Sequence, residues 1–401
     1  MSVDNRKRKH IKEDTTVMSQ QTNVPKLDIP LSSPQIRQED IDIVVEILRS
    51  GRLSIGAYTE MFEESVASFV GTKYAVAVSS GTAALHLILK SINFSKDSIL
   101  VVPSFTFVAS ANVGMFEEGR IEFVDIEPET LNMDPVHLEY VLEKLSKENK
   151  KMFLMAVDVF GHPLDWDRVL SICDKYNVTI VEDSCEALGS EYKGKKVGTF
   201  GVAGAYGFYP NKQITTGEGG ILVTNDEHIY KVSRALRNQG RGEGQGWLAH
   251  DYVGYNYRID EMSSGLGWSQ MKRIDAIIQA RSEVANRYNA MLKCVETPIV
   301  KDYVSKMSWF IYVVRLPKGT KKESRNRVME YLENNGVHVR NYFEPIHLQK
   351  PYREIGWKEG MLPITEEVAE RTIALPFFTD MTREQQEYVV NKVKEAINKL
   401  L

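Results

Sequence analysis

The chain has 401 residues, more than one hydrophobic core usually organises, so two cores are expected. A formal net charge of −4 gives no general attraction to nucleic acid or an anionic membrane. No apolar run approaches the roughly 18 residues of a membrane span, and no signal-peptide core follows the N-terminal charges.

Three scattered cysteines, Cys173, Cys185 and Cys294, suit a reducing cytoplasm better than a disulfide framework or a zinc site. The eight histidines show no metal-ligand spacing, so no metal is expected. Residues 1–24 carry the basic cluster RKRKH and few large apolar side chains, which predicts a disordered tail.

From Pro25 to Ser32 the chain reads as extended. QEDIDIVVEILRSG follows as an amphipathic helix ended by Gly51, with Ile41, Val44, Val45 and Leu48 as its apolar face. A second helix spans about Tyr58 to Phe69. Tyr74–Val78 reads as a buried strand, Ser79–Thr82 as a turn, and Ala83–Ser91 as a helix.

The pattern then repeats. Strands SILVVP, IEFVDI, MFLMAV and VTIVED alternate with helices TFVASANVGMFEEG, PVHLEYVLEKLSKEN and LDWDRVLSICDKY. Such alternation predicts βα units, hence a mainly parallel sheet with helices on both faces. Right-handed crossovers place the C-terminal strand ends on one edge, where ligands bind. Ser79–Ala83, Pro103–Phe107 and Glu182–Glu186 arrive at such ends.

After ILVTND comes a polar loop, RNQGRGEGQGWLAHDYVGYNYR, then a helix through MSSGLGWSQMKRI and a long helix from about Asp275 to Cys294. SWFIYVVRLP, ESRNRVMEYLENNG, VHVRNYF and TREQQEYVVNKVKEAINKLL then read as strand, helix, strand and helix. Residues 25–275 are therefore expected to form a large domain and 276–401 a small α+β domain.

Three segments could carry chemistry. In SSGTAAL a strand turns through Ser-Gly-Thr into a helix, placing N–H groups and a hydroxyl where an anion binds. A plain cap by Ser80 or Thr82 is the bland alternative. In VEDSCEALG the adjacent Glu182 and Asp183 alternate across the strand, so only one points toward a site. A carboxylate at a buried strand end needs a cation, although it could simply cap the next helix. Lys212 lies in GVAGAYGFYPNKQITTGEGG, where six of twenty residues are glycine, the mark of backbone approached closely. Alone it reads as a solvated lysine; beside aromatic residues in a desolvated site it is a nucleophile or Schiff-base former. An anion cradle, a strand-end carboxylate and a loop lysine together match the phosphate, pyridinium nitrogen and aldehyde of pyridoxal phosphate.

SSGTAALHL, VPSFTFVASANV, VDVFGHPLDWD, EDSCEALGS, FYPNKQITTGEGG and GYNYRIDEMSSGLG resemble the motif set of the DegT-type nucleotide-sugar aminotransferases. These are fold type I enzymes of the aspartate aminotransferase superfamily. The resemblance runs from about Pro30 to the C-terminus and includes EPIHLQKPY and RTIALPFF. It implies a pyridoxal-phosphate transferase with a large three-layer α/β/α domain, a mainly parallel sheet and a smaller C-terminal α+β domain. Glu186, PNKQITTGEGG and RNQGR look most like the perosamine-synthase branch. That branch aminates a GDP-linked 4-keto-6-deoxy sugar for polysaccharide or O-antigen biosynthesis.

By the same resemblance, Lys212 would hold the cofactor aldehyde and shuttle a proton, and Asp183 would keep the ring nitrogen protonated. Phe107 would stack on the ring, while Phe105 stays in the core. Gly81, Thr82 and Ala83 would hold the phosphate. Asn256 would reach a neighbouring subunit's phosphate, implying a homodimer with shared sites. Many relatives carry serine where this chain has Gly207, and Gln or His where it has Glu186, whose carboxyl is expected to be protonated or to bridge through water. Glutamate is the expected amino donor. Ser54, Tyr209, Arg241 and His347 are tentative substrate contacts. A sugar dehydrase, in which relatives replace the lysine by histidine, and a non-catalytic regulator stand as alternatives.

Overall fold

The computed structural model describes residues 27–242 and 249–401; the expected tail at 1–24 lies outside them. Two helices open the chain, α1 (Gln38–Ser50) and α2 (Ala57–Val70), each closed by a glycine with positive φ, Gly51 and Gly71. Then β1 (Tyr74–Val78), α3 (Gly81–Ser91), β2 (Ser98–Pro103), α4 (Ala109–Phe116) and β3 (Arg120–Val124) follow. The alternation continues through α5 (Pro135–Leu145), β4 (Lys151–Val157), α6 (Trp166–Lys175) and β5 (Thr179–Asp183). A short hairpin, β6 (Glu191–Tyr192) and β7 (Lys195–Lys196), precedes β8 (Ala203–Gly207), β9 (Gly220–Thr224) and α7 (Glu227–Arg237).

The seven long strands make one sheet in the order β1-β9-β8-β5-β4-β2-β3. Only β9 runs against its neighbours, β1 and β8, so the other six end on a common edge. Residue alternation feeds both faces: Val76, Leu100, Val102 and Val181 enter the core under α3 and α4. Ile99, Val101 and Ile180 enter a second core with α5 and α6, and Ala75 and Ala77 a third with α2. The sheet is thus sandwiched between helices, as expected.

Two helices lead out of this unit, α8 (Glu261–Met271) and α9 (Ile274–Met291). Ile277 and Ile278 of α9 pack in the core with α2, while Val284 and Tyr288 pack in a separate C-terminal core. That core is built from β11 (Tyr312–Arg315), α10 (Lys322–Asn334), β12 (Thr372–Leu375) and α13 (Arg383–Leu400), after the edge strand β10 (Val304–Lys306). Between α10 and β12 come α11 (Lys350–Glu354) and α12 (Pro363–Arg371). Ile29 also belongs to the C-terminal core, its N–H donating to the Gly336 carbonyl at 2.7 Å.

Two sequence expectations differ. VHVRNYF is not a strand: it forms single bridges to Ile29 and Ala374, because its buried Val337 and Val339 are shared between the N-terminal arm and β12. The real partner of β11 is β12, which pairs Tyr312 with Leu375. The face of α1 is also rotated. Ile43 and Ile47 meet α8 at Gly265, where no side chain intervenes, and buried Asp40 is bridged by Arg273 at 2.5 Å. Ile41 and Leu48 are left 46% and 54% exposed.

Candidate active site

Four strand ends converge on a cavity of about 630 Å³. Beyond β1, Ser80 caps α3 by accepting from the Ala83 N–H at 3.1 Å, and Gly81 and Thr82 line the cavity in the first turn. Beyond β2, Phe105 is fully buried against Phe160 and Phe343, whereas Phe107 lines the cavity and is 60% exposed. From β5 come Asp183, Cys185 and Glu186; beyond β8 come Gly207, Tyr209, Asn211 and Lys212. The facing wall belongs to the C-terminal unit: Phe310, then Asn341, Tyr342, Phe343, Glu344, Ile346 and Gln349.

Alternation separates the two neighbouring carboxylates. Glu182 turns away from the cavity and accepts from the N–H groups of Gly198, Phe200 and Gly201. Asp183 turns in; its Oδ2 accepts from Ser110 Oγ at 2.6 Å and its Oδ1 from the Cys185 N–H at 3.2 Å. Both partners are neutral, so the buried carboxylate lacks the cation that its burial calls for.

Lys212 Nζ lies 3.8 Å from the centre of the Phe310 ring and 3.5 Å from Glu186 Oε1. The other Glu186 oxygen accepts from the Phe160 N–H at 2.8 Å. Burial raises the Glu186 pKa, the Lys212 ammonium opposes that rise, and the Asp183 charge adds to it. This is the direction expected from the sequence.

Two glycines make the anion cradle possible. A Cβ on Gly220 would stand 2.3 Å from the Ser80 carbonyl carbon, so β9 passes beneath the α3 turn only as glycine. One on Gly81 would stand 2.8 Å from Cys185 Sγ, closing the cradle floor.

Of the residues singled out in the sequence, Gly81, Thr82, Phe107, Asp183, Glu186, Tyr209 and Lys212 line this cavity. Ala83 does not: it is buried and its N–H is spent on the Ser80 cap. His347 does not either; it is 0% exposed between Ser104 and Glu366. Arg241 lines a second cavity of about 1010 Å³ with Arg52, Arg237, Asn238 and Arg258. Ser54 is exposed next to that cavity's Ile55, and exposed Asn256 bridges to its Asn238. The two cavities share no lining residue among the described residues.

Sequence reading missed Ser110 and Phe310, and of the wall at 341–349 it singled out only His347 and the motif EPIHLQKPY. Ser110 had a usable signal, three residues past Phe107 at a helix start. The wall had the motif EPIHLQKPY, but which of its residues face the site is decided by tertiary packing.

The profile of the DegT/DnrJ/EryC1/StrS aminotransferase family matches residues 34–394. The chain belongs to this family. A GDP-perosamine synthase of Vibrio cholerae is 32% identical over 372 residues, covering 92% of this chain and 99% of that protein. Helicobacter pylori PseC, an aminotransferase involved in the biosynthesis of pseudoaminic acid, superposes with a TM-score of 0.86. Its identity is 28%, over 93% of this chain and 100% of that one. A chain of Streptococcus pneumoniae solved in its pyridoxal-phosphate form has a TM-score of 0.87 at 26% identity, over 94% and 100% of the two chains.

The protein is thus a pyridoxal-phosphate-dependent sugar aminotransferase. The donor set of the cavity fits that cofactor. A phosphate finds the N-terminal turn of α3, where N–H groups lack intrahelical partners. A protonated ring nitrogen would supply the cation that Asp183 lacks, and an aldehyde would find Lys212. Among the described residues no cluster of three metal-ligating side chains occurs, and no helix is long and apolar enough to cross a membrane.

Proposed function

We propose that the aminotransferase moves an amino group from glutamate to a nucleotide-linked keto sugar, with GDP-4-keto-6-deoxymannose as the best candidate. The observation that carries this reading is the convergence of Lys212, Asp183 and the α3 turn on one cavity. Bound there, pyridoxal phosphate supplies an electron sink for the carbon that loses or gains the amino group.

The chain's own residues have separable tasks. Asp183, fixed by Ser110, holds the ring nitrogen protonated, and Phe107 covers a ring face. Gly81 and Thr82 hold the phosphate through the α3 turn. Lys212 would hold the aldehyde at rest; once the donor amine displaces it, its free Nζ takes a proton from the donor carbon, and in the second half-reaction it delivers one to the sugar carbon. Glu186, whose pKa burial raises against the pull of Lys212, holds its proton to higher pH than an exposed carboxyl, and in that form does not repel an anionic ring oxygen. Tyr209 and the 341–349 wall are placed for the sugar.

Both substrates and the cofactor are anionic, yet the cavity offers Lys212 against Asp183, Glu186, Glu218 and Glu344. The surplus of arginines lies around Arg241 and Asn256, away from the cavity. We therefore assign Asn256 and Arg241 to the cavity of a second copy, in a homodimer with shared sites. The exposed apolar stripe of α1, Ile41 and Leu48, supports an unfilled interface.

Purified protein is expected to show the yellow absorbance of the lysine-bound cofactor, and Lys212→Ala to lose both that band and turnover. Incubation with glutamate and GDP-, UDP- and TDP-linked keto sugars reads the nucleotide. An amino sugar formed from UDP or TDP substrates alone would overturn the GDP assignment.

A further inference from the structure

His347 was expected to touch substrate, but the structure gives it a different set of partners. Its Nε2 lies 3.0 Å from Glu366 Oε1 and its Nδ1 2.6 Å from Ser104 Oγ. Glu366 Oε1 also accepts from the N–H groups of Gly360 and Leu362. The carboxylate is an acceptor, so the imidazole hydrogen sits on Nε2, and Nδ1 takes the Ser104 hydroxyl hydrogen. The His347 N–H then donates to Ser104 Oγ at 3.2 Å, and the Ile346 N–H donates to the Ser104 carbonyl at 3.0 Å.

Ser104 and His347 are both 0% exposed, so this Ser–His–Glu chain cannot present a nucleophile to solvent or substrate. Burial lowers the His347 pKa against the pull of Glu366 and Asp125, which keeps the ring neutral.

The chain of bonds joins the two units of the molecule. Ser104 follows β2 and precedes Thr106 and Phe107, which line the cavity. His347 lies inside the 341–349 wall, between the lining residues Ile346 and Gln349. Glu366 stands on α12, whose first turn is held by Asp125 just beyond β3: Asp125 accepts from Thr365 N–H and Oγ1 at 2.7 Å and from Ile364 N–H at 3.0 Å.

We propose that His347 is an interdomain positioning residue, clamped between Ser104 and Glu366, that sets the 341–349 wall against the segment carrying Phe107. The inference rests on the cavity being the reaction site. The cofactor-holding residues, Lys212, Asp183 and the α3 turn, all lie in the large unit, so loosening the clamp leaves the cofactor seated and disturbs the substrates. The clamp uses no charge in the cavity itself, so its effect is geometric.

The test compares the wild-type holoenzyme with Ser104→Ala, Ser104→Thr and Glu366→Gln. Ser104→Ala leaves the buried Nδ1 without a donor and is expected to raise KM for both substrates about tenfold. Cofactor affinity should change far less than KM, since its anchors Lys212, Asp183 and the α3 turn are untouched and only the stacking Phe107 lies on the clamped segment. Ser104→Thr keeps the hydroxyl and should restore KM. Hydrogen exchange of the holoenzyme should speed up across 341–349 and 363–366 while the α3 turn stays protected.

Unchanged KM in Ser104→Ala, or cofactor affinity falling in step with activity, overturns the proposal. If Ser104→Ala does not fold, Glu366→Gln decides: it keeps an acceptor for Nε2 but loses the charge, and should show the same pattern more weakly. Faster exchange spread over the whole chain would make the clamp merely structural and also overturn it. Retained turnover in Lys212→Ala instead strikes at the cavity reading, and so the two failures are told apart.

Discussion

The candidate cofactor cavity is lined by Asp183, Glu186, Glu218 and Glu344 against one lysine, whereas the second cavity sets seven lysines and arginines, Arg241 and Arg258 among them, against Glu60, Glu63, Glu64 and Asp251. The first lies at the C-terminal strand edge and, on the proposed function, would receive anions. The second reaches Lys73 and Tyr74, at the start of β1, and stretches along α2 and α7. In isolation the acidic cavity would disfavour a phosphorylated cofactor and a nucleotide sugar, leaving Lys212, hydroxyls and backbone dipoles to hold them. Paired with the basic cavity of a second copy it would not. The lesson is that one chain separates chemistry from charge neutralisation, and a symmetric pair would reunite them.

The most drastic way to break this comparison is to separate the two parts genetically. Lys212→Ala is expected to abolish turnover, and, if Asn256 meets a partner's phosphate as proposed, Asn256→Ala is expected to lower it about tenfold. A mixture of the two, unfolded and refolded together, creates pairs with one wholly intact site if sites are shared. Turnover above the mean of the two parents supports the sharing. Turnover at that mean would place each site within one chain.

A smaller effect concerns the acid beside the lysine. Burial raises the Glu186 pKa above its ordinary 4.5, so the folded chain keeps this proton while the unfolded chain releases it. Stability contributed by the neutral form is complete below the unfolded value and is lost as pH rises through the folded one. The cofactor-free Tm of wild type should therefore fall over that window, and Glu186→Gln, which cannot ionise, should fall less. Parallel Tm profiles would show that Glu186 is already ionised in the folded chain.

Much of this is legible in the sequence. Strands were readable because their apolar runs are buried on both faces, and the strand ends named in the sequence are the ones that meet. Lys212 and Asp183 were readable because each sits at a strand end with an unusual neighbour, glycine-rich backbone or a second carboxylate. The α1 face was misread because Gly265 lets Ile43 and Ile47 approach α8, a fact carried by a residue 218 positions beyond Ile47. His347 was misread for a similar reason. A histidine in a loop motif invites a role in binding, and only the positions of Ser104 and Glu366, far off in sequence, reveal that both nitrogens are taken.

The smallest expected effect sharpens the acidic side of the comparison. Gly207 lines the cavity at the end of β8, opposite the α3 turn, and contributes no hydroxyl to the cradle. A Cβ there would meet Cys185 Cβ at 3.5 Å and Sγ at 3.7 Å, ordinary contacts, and its φ is not in the left-handed region. Gly207→Ser should therefore fold normally and place a donor beside the phosphate. One added hydrogen bond is worth about 0.5–1.5 kcal/mol, so cofactor affinity should tighten roughly two- to tenfold, read by titrating cofactor-free protein. Because the cavity supplies few charges to an anion, a neutral donor should count more here than in a cradle already rich in cations. A weaker affinity would mean that Cys185 or a partner residue already occupies the place of that hydroxyl.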